Sequence, residues 1–288
     1  MIYQSGKDWL KSPNKRVLLF GMSGLGKTHV SNMLRGGGGW FHYSVDYRIG
    51  TRYMGEHIVD NFKREAMKNP FLNDLLRTDS IYIASNITFD NLSPLSSYLG
   101  KPGDRAKGGL PFGEYMKRQE QHRVAEVSSL LDTAHFINRA SEIYGYDNFV
   151  CDSGGSICEV VSPENPNDPV LKSLSENLLM VGIEGTSAHA AELARRFDKS
   201  PKPMYYHKDF LIRIWNEYLA ENNLHKDQVD PDNFVRWAYS QALAHRKPLY
   251  DSMAKNWGIS VSAADIAKAT TPEAFQTLIA QTLEKHAA

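Results

Sequence analysis

One stretch near the start constrains this chain more than any other: Gly21-Met22-Ser23-Gly24-Leu25-Gly26-Lys27-Thr28. It satisfies G-x-x-x-x-G-K-[ST], in which glycines let backbone N–H groups turn inward onto phosphate oxygens. The pattern carries weight only between a strand and a helix. Arg16-Val17-Leu18-Leu19-Phe20 before it is an apolar, β-favouring run. Residues 29–35 after it read as helix, with Val30, Met33 and Leu34 on one face. The helix N-terminus adds partial positive charge. Lys27 has the reach for β- and γ-phosphates, and the Thr28 hydroxyl suits Mg²⁺. The expected nucleotide-binding residues are Gly21, Ser23, Gly24, Leu25, Gly26, Lys27, Thr28 and His29, with ATP and Mg²⁺ as expected cofactors. A glycine-rich turn followed by a chance Lys-Thr is the bland alternative.

Downstream, strands alternate with helices. Residues 40–45, 148–152, 178–183 and 259–261 read as further strands. Residues 49–68, 71–76, 188–197, 207–221, 231–256 and 272–286 read as helices, with Thr186 capping 188–197 and a break near Pro248. Residues 113–144 form one long helix or two. Residues 81–83 suit a short strand. The stretch 86–110 is rich in Ser, Gly, Pro and Asn, and such long irregular segments are usually functional or mobile. The expected fold is α/β, a three-layer P-loop NTPase arrangement: a parallel sheet with helices on both faces. Residues 1–288 would form one domain, with 52–112 as a helical or irregular insertion over the substrate side.

Lys+Arg and Asp+Glu both number 33 in 288 residues. That balance argues against a general nucleic-acid or membrane-surface binder. The N-terminus lacks a signal-peptide apolar core, and no run approaches a membrane span. The expected location is the cytoplasm. Cys151 and Cys158 have no zinc-type spacing and read as reduced thiols, Cys151 within a core strand.

Two carboxylates close apolar strands. Asp46 is placed to orient a substrate hydroxyl, accept its proton or hold a Mg²⁺ water; the alternative is a helix cap. Asp152 fits a strand-end carboxylate near Mg²⁺; the alternative is a tight turn with Gly154-Gly155. Basic pairs at Lys117-Arg118, Arg195-Arg196 and Arg246-Lys247 are either solvated helix faces or phosphoryl-neutralising groups. His122, His135, His189 and His245 form no metal-ligand spacing. Trp215, Tyr218, Phe234 and Trp237 read as core.

In their order, these segments resemble the shikimate-kinase-like branch of small P-loop kinases. Asp46-Tyr47-Arg48-Ile49 is similar to that family's D-x-x-I, whose Asp contacts the substrate hydroxyl. Residues 113–118 are similar to G-E-x-x-F-R, which implies that Arg118 binds a substrate carboxylate. Ser153-Gly154-Gly155 sits where the family has its substrate-side glycine triplet. Residues 195–204 are similar to the lid arginine followed by R-P-L, which implies a role for Arg195 or Arg196 over the transferred phosphoryl. Arg246-Lys247-Pro248-Leu249-Tyr250 matches R-x-P-L-Y, whose Arg is a second carboxylate contact. The resemblance covers most of the chain outside residues 52–112 and 207–235. The chain departs from the family at Ser44, where a second acid is expected, at the shortened Gly154-Gly155-Ser156, and at Lys202-Pro203.

The resemblance implies ATP-dependent phosphoryl transfer to a hydroxyl of a small, anionic metabolite, and the departures count against shikimate itself. Two rival readings stand beside it. One is a regulatory ATPase that works through a protein partner on the insertion. The other is a nucleoside or nucleotide kinase that stacks a base on Tyr43, Tyr47 or Tyr53. No N-K-x-D motif is present, which leans against a GTPase.

Overall fold

The computed structural model describes residues 1–287. Five short strands make one all-parallel sheet: β1 (Arg16–Phe20), β2 (Trp40–Ser44), β3 (Asn148–Asp152), β4 (Leu179–Glu184) and β5 (Gly258–Ser262). The helices in chain order are α1 (Gly6–Lys11), α2 (Lys27–Gly36), α3 (Val45–Arg48), α4 (Gly55–Ala66), α5 (Pro70–Arg77), α6 (Ser93–Leu99) and α7 (Phe112–Leu131). They continue with α8 (Thr133–Glu142), α9 (Pro169–Asn177), α10 (Ser187–Lys199), α11 (Lys208–Glu221), α12 (Pro231–Trp257), α13 (Ala263–Lys268) and α14 (Pro272–Ala287).

The chain divides into two compact units. The first comprises Met1–Val45, Val127–Ser200 and the chain from Arg236 onward; the second comprises Asp46–Glu126 and Pro201–Val235. Residues 52–112, expected as an insertion, lie wholly within the second.

The first unit holds the sheet, in the order β2-β3-β1-β4-β5. Strands of a parallel sheet are buried on both faces, which is why β1 reads as an unbroken apolar run. Val17, Leu18, Leu19 and Phe20 are all buried. Val17 and Leu19 join a core with Trp9, Val30, Leu34, Trp40 and Phe275. Phe20 belongs to the alternate set of side chains and stacks on Tyr250 of α12, centroids 6.3 Å apart. Helices therefore cover both faces of β1. From β1 the chain crosses to β2, returns beside β1 as β3, and then crosses β1 to β4. That reversal makes the carboxyl end of β1 a switch point, where open α/β sheets bind ligands.

The second unit is helical. Phe112 stacks on Trp215 at 4.5 Å, and Phe234 meets Trp215 and Tyr218 edge-on. Gln119 ties residues 204–206 to α7: its Nε2 donates to the Met204 carbonyl, and its Oε1 accepts from the Tyr206 N–H.

Several expectations change. Residues 49–68 are not one helix. After α3, the Met54 N–H bonds back five residues to the Ile49 carbonyl at 2.8 Å, a π turn over Ile49–Tyr53. Residues 81–83 form no strand, and Tyr82 is 90% exposed. Residues 113–144 take the two-helix form of the two that were expected, as α7 and α8. Helix α12 runs unbroken through Pro248. Five short helices were not anticipated, α1, α3, α6, α9 and α13, with α6 lying in the stretch expected to be irregular. Three of them have a side-chain cap: Ser5 for α1, Asp168 for α9 and Ser262 for α13. Thr186 caps α10 as expected, accepting from the His189 N–H. Among the described residues, no helix is long and apolar enough to cross a membrane.

Candidate functional site

The loop after β1 leaves the sheet at its switch point. Gly21, Gly24 and Gly26 hold φ values of 135°, 88° and 100°, a region that side-chain-bearing residues rarely enter. Gly26 is the N-cap of α2 and makes no side-chain cap to the first N–H groups of that helix. Such a helix start suits an anion. Lys27 is buried and curls back over the loop, its Nζ donating to the Gly21 carbonyl at 2.7 Å and the Met22 carbonyl at 3.1 Å. Ser23, Thr28 and His29 are exposed, whereas Leu25 is buried.

The loop is tightly walled. A Cβ on Gly21 would stand 2.7 Å from the Ile183 carbonyl oxygen, and one on Gly24 would stand 2.5 Å from Leu193 Cδ2. At Gly26 there is room, with Ile266 Cγ2 3.8 Å away, so only the backbone conformation opposes a side chain. Gly26→Ala should therefore cost about 1–2 kcal/mol of stability, read from urea unfolding. A cost near zero would mean that the loop relaxes out of this conformation.

Asp152 ends β3, paired in register with Leu19 of β1 and Ser44 of β2. It is 6% exposed, and its Oδ2 lies 3.9 Å from His42 Nε2. The neighbouring Cys151 thiol is pushed well up by burial, with the Asp152 charge adding to the shift. Both cysteines are free and buried. Immediately after β3, Ser153 Oγ donates to the Leu19 carbonyl at 2.9 Å.

The Gly154-Gly155 turn comes next. Arg246 Nη1 and Tyr250 Oη both donate to the Gly155 carbonyl, each at 2.9 Å. Arg246 Nε donates to Glu159 Oε1 at 2.7 Å, and both residues are buried. Burial opposes the guanidinium charge, but Glu159, with Cys158 and Tyr250, outweighs it and holds Arg246 above its ordinary value.

No protein-family model, curated protein or solved structure matches this chain. The site therefore stands on its own geometry.

Arg195 and Arg196 are exposed on α10, and both rest on Glu192. Hydrogen bonds from Arg195, then Arg196, lower the Glu192 carboxyl from 4.5 to about 2. A depressed carboxylate contributes wholly above its free value and loses that contribution as pH falls through its folded value. The window here runs from about 4.5 down to about 2. A carbon-13 NMR titration should place Glu192 near 2, and a midpoint near 4.5 would mean that the arginines do not rest there.

In the second unit, Asp46 is half-buried in the first turn of α3, two residues past the end of β2. Arg118 is engaged by protein groups: Nε by Glu114, Nη1 by the Tyr98 carbonyl and Nη2 by Asn61 Oδ1. Its guanidinium also lies 4.7 Å from the Tyr98 ring centroid. Tyr43, one of the residues considered for base stacking, is buried in the first unit and donates to the Ser129 carbonyl at 2.7 Å. Tyr47 stacks on Phe89, and Arg48 lies over Tyr53.

A cavity of about 910 Å³ opens beside the loop, with Met22, Leu25, Leu193, Leu243 and Tyr250 among its walls. Among the described residues, no group of three or more His, Cys, Asp or Glu is placed to hold a metal. Mg²⁺ carried on phosphates needs only one or two protein ligands, so that finding concerns other metal sites. Sequence reasoning missed Glu159 and Tyr250. The i, i+4 spacing of Arg246 and Tyr250, which puts both on one helix face, was the available signal.

Proposed function

We propose that the chain is an ATP-dependent kinase with a P-loop NTPase fold, transferring the γ-phosphoryl of ATP to a hydroxyl of a small molecule. The observation that carries this reading is the glycine loop itself. It has three left-handed glycines, a helix start whose N-cap is a glycine with no side chain to cap it, and a lysine folded over its carbonyls, all at the sheet's switch point. A buried strand-end carboxylate, Asp152, on the neighbouring strand supports it.

The exposed Thr28 hydroxyl and the Asp152 carboxylate are a suitable donor set for Mg²⁺. Bound there, Mg²⁺ would neutralise charge on the phosphates. The loop N–H groups and Lys27 would hold the β- and γ-phosphates. The acceptor oxygen would bond to the γ-phosphorus as the bond to the β–γ bridging oxygen breaks, releasing ADP. The hydroxyl proton would pass to solvent; Asp46, the residue expected to take it, belongs to the second unit. Arg195 or Arg196 would leave Glu192 to neutralise the transferred group. Such chemistry rests on positioning and electrostatics, without a covalent intermediate. No anionic group on the acceptor is inferred from Arg118 or Arg246, whose donors are engaged by the protein.

The test is ADP release against a panel of sugar acids, cyclic polyol acids and nucleosides. One class should raise release well above the basal rate. A second reading, a regulatory ATPase that works through a protein partner, is favoured by the engagement of those same two arginines. It predicts slow hydrolysis that no small acceptor accelerates.

A further inference from the structure

Arg246 and Tyr250 stand one turn apart on α12 and donate to one acceptor, the Gly155 carbonyl, at 2.9 Å each. Two donors fill both lone pairs of that oxygen. Glu159 fixes the guanidinium from the other side, Nε to Oε1 at 2.7 Å. A planar fork can serve a carboxylate and a carbonyl at once, which an ammonium cannot do in the same geometry. The turn so held abuts the glycine loop. A Cβ on Gly155 would stand 2.0 Å from Ser23 Oγ, 3.2 Å from Ser23 Cβ and 3.3 Å from Ser23 N. The Gly155 backbone is therefore the wall against which the loop is set at Ser23.

We propose that Glu159, Arg246 and Tyr250 are positioning residues that brace the Gly155 turn against Ser23 and so fix the phosphate-binding conformation of the loop. This rests on the loop's reading as a triphosphate cradle. It gives Arg246 a different task from gripping the acceptor: its guanidinium acts on the donor half of the site, through backbone.

Removing Arg246 or Glu159 outright would strand a buried charge and threaten folding, so Tyr250→Phe is the first variant. It keeps the ring on Phe20 and deletes one donor. The probe is inorganic tripolyphosphate with Mg²⁺, titrated calorimetrically, with melting measured alongside. Tyr250→Phe should bind about five-fold more weakly, the value of one hydrogen bond. Gly155→Ala should bind about ten-fold more weakly through crowding at Ser23. Adding Ser23→Gly to Gly155→Ala should recover most of that loss, because the obstructing side chain is gone. A merely structural Gly155 predicts no such recovery. Wild-type affinity in both single variants, or a double variant no tighter than Gly155→Ala, overturns the brace alone. Failure of the wild type to bind, or undiminished binding by Lys27→Ala, overturns the cradle and the brace together.

Discussion

Lys27→Ala should lower acceptor-dependent turnover about 10²–10³-fold, the usual cost of deleting one preorganised donor to developing charge. The ammonium now donates to the Gly21 and Met22 carbonyls, both within its own loop. Those carbonyls keep the charge partly satisfied while phosphate is absent and hold it over the mouth of the loop. With a triphosphate bound, the same short arc brings it to the β/γ oxygens. The loop's left-handed glycines do not depend on the lysine, so the variant should fold and its circular dichroism should match the wild type. Full turnover in Lys27→Ala would falsify the assignment of the loop.

Glu159→Ala should destabilise the protein by about 3–5 kcal/mol, the cost of leaving one partner of a buried ion pair uncompensated. The Glu159 side chain has no exposed surface, and that of Arg246 is 6% exposed. Water therefore cannot replace the lost carboxylate, and Arg246 retains its charge with a neutral carbonyl, that of Gly155, among its remaining partners. Urea unfolding reads the change directly. Replacing Arg246 with Met as well should recover much of it, because apolar replacement of a whole buried pair is often tolerated. A single-variant loss under about 1 kcal/mol would instead match an exposed pair and contradict this account.

The sheet and the glycine loop were legible because their causes are local. An apolar run bounded by turn residues can only be a buried strand when helices flank it, and φ values near +100° ask for glycine wherever they occur. The short capped helices were legible in principle: Ser5 with Asp8, and Ser262 with Asp265, sit at cap spacing, and Asp168-Pro169 opens α9. The π turn was not legible, since a bond from Met54 back to Ile49 leaves no periodic trace.

The surroundings of the residues expected to bind an acceptor were the least legible part. A motif supplies a residue type but not the group facing it. Arg246 meets Glu159 and Gly155 across 87 and 91 residues of chain, and nothing near Arg246 announces either partner. Arg118 likewise reaches Asn61 across 57 residues. The same distance effect hid the second unit. Its stretch 201–235 joins 46–126 through pairs such as Phe112 with Trp215 and Gln119 with Tyr206, which no window of sequence contains.

The central claim is that Gly21–Thr28 cradles a triphosphate, and the most direct measurement is a calorimetric titration of the wild-type chain with Mg²⁺-ATP and Mg²⁺-tripolyphosphate. The account predicts one-to-one binding of both, since the loop reads phosphates through backbone N–H groups and Lys27. Absence of binding by either compound, or binding of ATP alone, would contradict it.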